Sequence, residues 1–358
     1  MVEVLSSSPL VFNDKVVFQF PDPGGRVKGV VLYQEVQWPR SGPAFQRRGT
    51  GFWAELPRPP VDRMEYNLQV SWEDGGFAWI PDPQNQLRTP TPYGDKSVVE
   101  FPSYRPPQWV GRMAGQAGDI TRIRLNCPSL GGTMEGELWS SAGSRPEEQL
   151  PLLLVLDGGD YQTYTGITQM LDRAVADGRL PPLRAALLCP VRREADYAAS
   201  PTFANCLADE VLPGLGELVA LAPGPRMRVG MGASLGALAL LHAHWRRPDV
   251  LGGLFLQSTS FVGRVEAERS SLEHAARMAE FTDAVVGSRS APPPVLVAMT
   301  CGVVEEILLA NIGVAATLSE RGYPVSMCKL ADGHNWIAWR DAFDPHLIDL
   351  LARVFLGD

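Results

Sequence analysis

Over residues 1 to about 112, apolar and polar positions alternate in short runs. Examples are Val16-Val17-Phe18-Gln19-Phe20, Gly29-Val30-Val31-Leu32-Tyr33, Phe52-Trp53-Ala54-Glu55-Leu56 and Met64-Glu65-Tyr66-Asn67-Leu68-Gln69-Val70. Turn-forming clusters such as Asp22-Pro23-Gly24-Gly25 and Glu73-Asp74-Gly75-Gly76 separate them. Period-two runs with this punctuation predict short antiparallel strands, and hence a β-sandwich of the early-set or immunoglobulin-like kind. From Arg105-Pro106-Pro107 to Gly118 the chain is rich in turn formers and reads as a connector, with 113–118 as the linker proper.

After residue 119 the period changes. Leu150–Leu156, Arg184–Cys189, Met227–Met231, Leu251–Gln257, Val295–Met299 and Val325–Leu330 are short apolar runs expected to be buried strands. Between them, 165–178, 202–220, Leu235–Trp245 and Glu305–Arg321 have helical periodicity, and a last helix is expected from about Trp336. Strands alternating with helices give right-handed βαβ units and a doubly wound, mostly parallel sheet, so the fold class is α/β. Reactive groups in such sheets sit beyond the carboxyl ends of the strands. The predicted division is 1–112 sandwich, 113–118 linker and 119–358 catalytic domain.

The chain length of 358 residues suits two cores. With 45% hydrophobic and 20% charged residues it is ordinary globular material. A net charge of -8 makes nucleic acid a poor partner. The five cysteines (Cys127, Cys189, Cys206, Cys301 and Cys328) are odd in number and widely spaced, so neither a disulfide framework nor a zinc site is expected. No metal and no cofactor are expected. Met1-Val-Glu-Val-Leu-Ser-Ser-Ser8 lacks a basic region and an apolar core, and no apolar run reaches membrane-spanning length. The expectation is a cytoplasmic protein without a membrane partner.

Gly232-Ala233-Ser234-Leu235-Gly236 fits G-x-S-x-G between a strand and a strong helix. That chemistry needs the serine on a sharp turn that exposes its Oγ, with small neighbours where backbones approach. Ser234 is therefore the expected nucleophile of an α/β-hydrolase. Of the five histidines, His242 and His244 lie inside the following helix, His274 in a charged insert and His346 near the terminal helix. His334, in Asp332-Gly333-His334-Asn335-Trp336, follows the last strand, where this fold places the base. The acid should follow Val295–Met299. Glu305 is preferred, with Glu306 and Asp332 as alternatives. For the oxyanion hole, the N–H of Leu235 and one from Asp157-Gly158-Gly159-Asp160 are expected, with Gly159 named and Asp160 as the alternative.

Several segments together resemble enterochelin esterases, in the esterase-D-like branch of the α/β-hydrolases. They are Leu154–Asp160, Phe203–Pro213, Gly232–Gly236, Gln257-Ser-Thr-Ser-Phe261, Gly302-Val-Val-Glu305 and Gly333-His-Asn-Trp-Ile-Ala-Trp-Arg340. The stretch from Asp82-Pro83-Gln84-Asn85 to Ser97-Val98-Val99 is similar to the sandwich that precedes the catalytic domain in that family. The resemblance implies hydrolysis of the trilactone of a ferric catecholate siderophore, releasing iron in the cytoplasm. Arg192, Arg193, Trp336, Trp339 and Arg340 are candidate contacts to an anionic aromatic substrate. A carbohydrate-ester (feruloyl or acetyl) esterase and a noncatalytic binding protein are the competing readings. Trp38, Trp53, Trp72, Trp79 and Tyr93 exceed what a small sandwich buries, so the front domain is expected to form a wall of the pocket.

Overall fold

The structure, a computed structural model, describes residues 8–112, 114–270, 273–287 and 291–357. Of the stretch read for a leader, Met1–Ser8, residues 1–7 lie outside them. By its contacts the chain divides into two compact units. One comprises residues 8–105 with two later segments, Gly302–Glu305 and Leu330–His334; the other holds the remainder.

The first unit carries ten strands: β1 Leu10–Val11, β2 Lys15–Pro21, β3 Val27–Gln34, β4 Ser41–Ala44, β5 Gln46–Arg48, β6 Gly51–Pro57, β7 Arg63–Trp72, β8 Phe77–Ile80, β9 Arg88–Thr89 and β10 Lys96–Glu100. They pair antiparallel in two sheets, β1-β2-β6-β5 and β4-β3-β7-β10-β9, with β8 added beside β7. Alternation dictates this: in β3, Val30 and Leu32 are buried while Val31 and Tyr33 are half-exposed. The buried faces meet in one core, where Phe18 packs edge-on against Tyr66 with ring centroids 5.0 Å apart. Asp82 ties the β8–β10 corner, accepting from Tyr66 (2.8 Å) and Ser8 (3.3 Å) while its own N–H donates to Ser97 Oγ. Of the surplus aromatics, Trp38, Trp79 and Tyr93 are exposed, and Trp53 and Trp72 are half-buried.

The second unit is built on an eight-stranded sheet: β11 Asp119–Cys127, β12 Gly132–Ser140, β13 Leu152–Leu156, β14 Arg184–Leu188, β15 Arg228–Ala233, β16 Gly253–Gln257, β17 Leu296–Gly302 and β18 Val325–Leu330. Their order is β11-β12-β14-β13-β15-β16-β17-β18. β13 pairs parallel with β14 and β15, and β15, β16 and β17 run parallel in turn, so the expected doubly wound α/β sheet is present. Every residue of β13, β14 and β16 is buried, as in strands covered by helices on both faces. Two features were not expected from the sequence. The antiparallel hairpin β11–β12 opens the sheet; β11 turns only Ile123, Leu125 and Cys127 inward, too short an apolar alternation to stand out. The helix expected from Glu305 begins at Leu308 instead, because the Glu305 carboxylate is engaged in the turn before it. The connector is packed rather than loose: Trp109 stacks on Phe343 at 6.2 Å, and Gly118 N–H donates to Asp172 at 2.7 Å.

Candidate active site

Ser234 stands between β15 and the helix Leu235–Arg246, with φ 55° and ψ -119°. For a non-glycine residue that conformation costs on the order of 1–3 kcal/mol and persists only when its surroundings fix it. They do so through backbone bonds. Ser234 N–H donates to Gln257 O at 2.8 Å, and Ser234 O accepts from Leu238 N–H and Ser260 N–H, both at 3.2 Å. A Cβ on Gly232 would lie 2.7 Å from the backbone carbon of Gly236, so only glycine lets the strand turn this closely into the helix. Gly236 is less constrained, since a Cβ there would meet nothing nearer than 3.4 Å. The Ser234 hydroxyl lies 2.9 Å from Ser260 Oγ. Ser260 belongs to the quoted Gln257–Phe261 segment but was not singled out; a polar run directly after a buried strand is the signal that points to it.

Glu305 and His334 lie on loops after β17 and β18. His334 Nδ1 and Glu305 Oε2 are 2.6 Å apart, with the glutamate side chain only 3% exposed and the imidazole 35%. The other carboxylate oxygen, Oε1, accepts from Gly302 N–H at 2.6 Å. Both oxygens are thus directed, and the imidazole is presented from a fixed nitrogen. Glu306 is exposed. Asp332 is buried, and its Oδ1 accepts from Gly333 N–H at 2.7 Å. Of the three expected acids, Glu305 is therefore the one on the imidazole. The remaining histidines have other surroundings. Burial, reinforced by Arg246 and Arg277, pushes His242 down to about 4, and its ring packs edge-on to Phe281. Burial alone lowers His244 to about 4, with Nε2 3.1 Å from Tyr323 Oη. His274 is half-buried, and burial lowers His346 as well.

Leu235 opens its helix, so its N–H has no partner within that helix. Gly159 lies in the helical turn Gly158–Asp160 beside the Cys189 thiol, whose Sγ a Cβ on Gly159 would meet at 3.1 Å. Burial pushes that thiol up, which keeps it neutral. The alternative, Asp160, gives its N–H to Asp157 O at 3.0 Å. Gly158 is required on steric grounds, since a Cβ there would sit 2.2 Å from the Leu187 carbonyl carbon.

The five proposed substrate contacts separate into two kinds. Arg193 clamps the buried Asp157 carboxylate, with Nη2 at 2.7 Å and Nε at 3.0 and 3.1 Å from its two oxygens. Trp339 is 5% exposed and donates to Ser258 Oγ at 3.0 Å, so burial withdraws it from direct ligand contact. Arg340 pairs with Asp341 at 2.7 Å. Arg192 is held loosely, 3.8 Å from Asp196, with its side chain 63% exposed. Trp336 is half-buried and packs edge-on against Tyr161 at 5.2 Å and Trp339 at 4.8 Å. Arg192 and Trp336 are the two best presented to a ligand. Among the described residues one cluster, Cys127, Cys206 and Glu210, has donor atoms close enough for a metal ion. Burial pushes both thiols up, and Cys206 donates to Glu210 at 3.3 Å, so these groups satisfy one another as neutral thiols and a carboxylate.

Comparison with known proteins gives concordant results. The iron(III) enterobactin esterase of Dickeya dadantii (strain 3937) is 28% identical over 233 residues, covering 62% of this chain and 51% of that protein. The chain thus spans about half the length of this curated relative. Two solved structures share the fold: the enterobactin esterase FES from Shigella flexneri, crystallised in the presence of enterobactin, and the ferric enterobactin esterase (fes) from Salmonella typhimurium. The first has a TM-score of 0.77 at 18% identity, covering 98% of this chain and 96% of that one. The second has a TM-score of 0.79 at 18% identity, covering 96% and 95%. Among the described residues, no helix is long and apolar enough to cross a membrane. The Esterase family model, whose description is "Putative esterase", matches residues 129–350, more than half of the sequence, and the chain belongs to that family.

Proposed function

We propose that this chain hydrolyses carboxylic esters through an acyl-enzyme on Ser234, and that its substrate is the trilactone of a ferric catecholate siderophore. The observation that carries the mechanism is the 2.6 Å contact between His334 Nδ1 and the buried Glu305 carboxylate. It leaves Nε2 as the nitrogen that takes a proton. In the reaction, Ser234 Oγ attacks the ester carbonyl while His334 Nε2 accepts its proton. Glu305 stabilises the imidazolium. The N–H groups of Leu235 and Gly159 hold the oxyanion, an interaction that typically contributes about 3 kcal/mol per donor. The tetrahedral adduct collapses, and the leaving alcohol takes the proton from His334. Water then attacks the acyl-enzyme by the same route, releasing the acid and restoring Ser234. Sheet order supports the assignment: the nucleophile follows β15, and the acid follows β17, two strands along in a parallel run.

The substrate rests on the enterobactin esterases to which the chain is similar, and on Arg192 and Trp336. A cation and a half-exposed indole suit an anionic catecholate. The deciding experiment is a hydrolysis panel of nitrophenyl esters, a ferric triscatecholate trilactone and a feruloyl sugar, with Ser234→Ala as control. The expected result is the highest kcat/KM on the trilactone. Preference for the feruloyl sugar would replace the substrate, and turnover undiminished by Ser234→Ala would remove the mechanism.

A further inference from the structure

Ser234 is not the only hydroxyl at its turn. Ser260 Oγ lies 2.9 Å from Ser234 Oγ, and Ser260 N–H donates to Ser234 O at 3.2 Å. Ser260 thus meets this serine twice, once at the backbone and once at the oxygen assigned to the attack. The Ser260 hydroxyl has no other hydrogen-bond partner among the described residues. Both side chains are half-buried.

The loop that carries Ser260 follows β16 and is firmly held. Ser258 has φ 46°, a left-handed conformation that a non-glycine residue keeps only where its surroundings fix it. Its N–H donates to Thr300 O on β17 at 2.7 Å, and its Oγ accepts from Trp339 Nε1 at 3.0 Å. Asn311 is wholly buried and grips the backbone of the next residue. Its Oδ1 accepts from Thr259 N–H at 3.1 Å, and its Nδ2 donates to Thr259 O at 2.9 Å. Beyond Ser260 the chain is anchored by Phe261, whose ring is buried in the core of the sheet domain. A strained residue and a buried amide therefore fix the peptides on one side of Ser260, and a buried ring fixes the other. Their joint effect is to hold one hydroxyl against Ser234 Oγ.

The chemistry sets the direction of this contact. Ser234 has a single hydroxyl proton, and in the attack described above that proton goes to His334. The contact can then persist only with Ser260 donating and Ser234 Oγ accepting. Such a bond strengthens as the proton departs and negative charge gathers on the oxygen, so it favours the transition state over the resting hydroxyl. Deacylation runs the same way, since Ser234 Oγ leaves the tetrahedral adduct with charge on it before it regains its proton. We propose that Ser260 is a further catalytic residue, donating a hydrogen bond to Ser234 Oγ in both halves of the reaction. This inference rests on the assignment of Ser234 as the nucleophile.

The test uses the full chain, a small nitrophenyl ester and a fluorophosphonate. Ser260→Ala removes the donor, and Ser260→Thr keeps it. Expected for Ser260→Ala is a loss of about 10- to 100-fold both in kcat and in the rate of fluorophosphonate labelling, the scale of a hydrogen bond to a charged group. KM should change less than about twofold, because acylation and deacylation slow together. Labelling should still reach one per chain, with the thermal transition unchanged; a merely structural role would lower the labelled fraction rather than the rate. Ser260→Thr should recover most of the loss. Ser260→Ala with the parent kcat and labelling rate would overturn the inference, and so would a faster variant, which would mean that the contact holds Ser234 idle. Equal losses in Ser260→Ala and Ser260→Thr would show that the hydroxyl is not what counts and overturn it too. Ser234→Ala separates the two levels. If that variant is inert while Ser260→Ala matches the parent, only the role of Ser260 fails. If that variant stays active and the fluorophosphonate is found on Ser260, the site assignment fails.

Discussion

The turn that carries Ser234 and the loops that carry Glu305 and His334 are both tightly held, but by different parts of the chain. Around Ser234 the restraint is nearly all local or along the sheet: a backbone bond to Gln257 on the neighbouring strand, the first turn of its own helix, and a glycine two residues back where nothing larger fits. Around His334 part of it comes from more than two hundred positions earlier: Asp62 N–H, on the sandwich, donates to Ala331 O at 2.7 Å. The first arrangement is a backbone device and tolerates changes in distant side chains. The second adds a backbone bond between segments far apart in the chain, so it depends on how those segments fold against each other. The lesson is that the turn of the proposed nucleophile can be self-contained while the loop of the proposed base depends on a distant part of the chain.

The largest effect that would break this comparison lies at Ser234, the proposed nucleophile. Ser234→Ala should lower kcat for ester hydrolysis by about 10⁵- to 10⁶-fold with the thermal transition unchanged, and His334→Ala should match it because the members act as a unit. Stoichiometric uptake of a fluorophosphonate by Ser234→Ala would place the nucleophile elsewhere. Next comes Glu305, the proposed acid. Glu305→Gln should cost about 10³- to 10⁴-fold in kcat, since a glutamine stabilises no imidazolium and can select the wrong tautomer. Glu306→Gln, at an exposed position, should leave kcat within about twofold in the same assay.

Smaller effects sharpen the comparison through stability. Gly232→Ala should destabilise by about 3 kcal/mol or abolish soluble expression, because its Cβ would fall on the helix backbone. Gly236→Ala, in ordinary contact distance of its neighbours, should cost less than about 1 kcal/mol by denaturant titration. Equal costs at the two glycines would show that the turn is not limited by that approach. The pH dependence also has a defined sign. His242 and His244 are held near 4 when folded, below the ordinary 6.5, so the unfolded chain binds more protons between these values. Stability should therefore be full above about pH 6.5 and fall as pH drops towards 4, by on the order of 2 kcal/mol for each histidine. A His242→Leu variant should show a flatter fall over that window in melting experiments; an identical slope would mean that this histidine is not buried neutral.

Much of this was legible in the residues. The period-two runs of the front half became β2, β3, β6 and β7, and the apolar runs of the second half became β13 to β18. Elements with many apolar positions are readable because burial forces the pattern. The β11–β12 hairpin was not, because it buries only three β11 side chains on one face, among charged neighbours. At the site, the strand–turn–helix around Ser234 was readable because its constraint is local, a glycine and a serine at fixed spacing. Arg193 and Trp339 were read as ligand contacts, yet Asp157 and Ser258 engage them; a charge or an indole in a sequence carries no sign of its partner.

The sequence by itself determined the class of the fold, the succession of β13 to β18, and the turn that strains Ser234, because each follows from the periodicity and steric size of neighbouring residues. The tertiary structure alone decided which carboxylate meets His334. Glu305 and Glu306 are adjacent in the chain and chemically alike, yet one is 3% exposed in its side chain with both oxygens engaged, and the other faces solvent. It also decided that Asp62 N–H meets Ala331 O. Contacts between segments so far apart depend on how folded surfaces meet, and no local pattern of residues encodes that meeting.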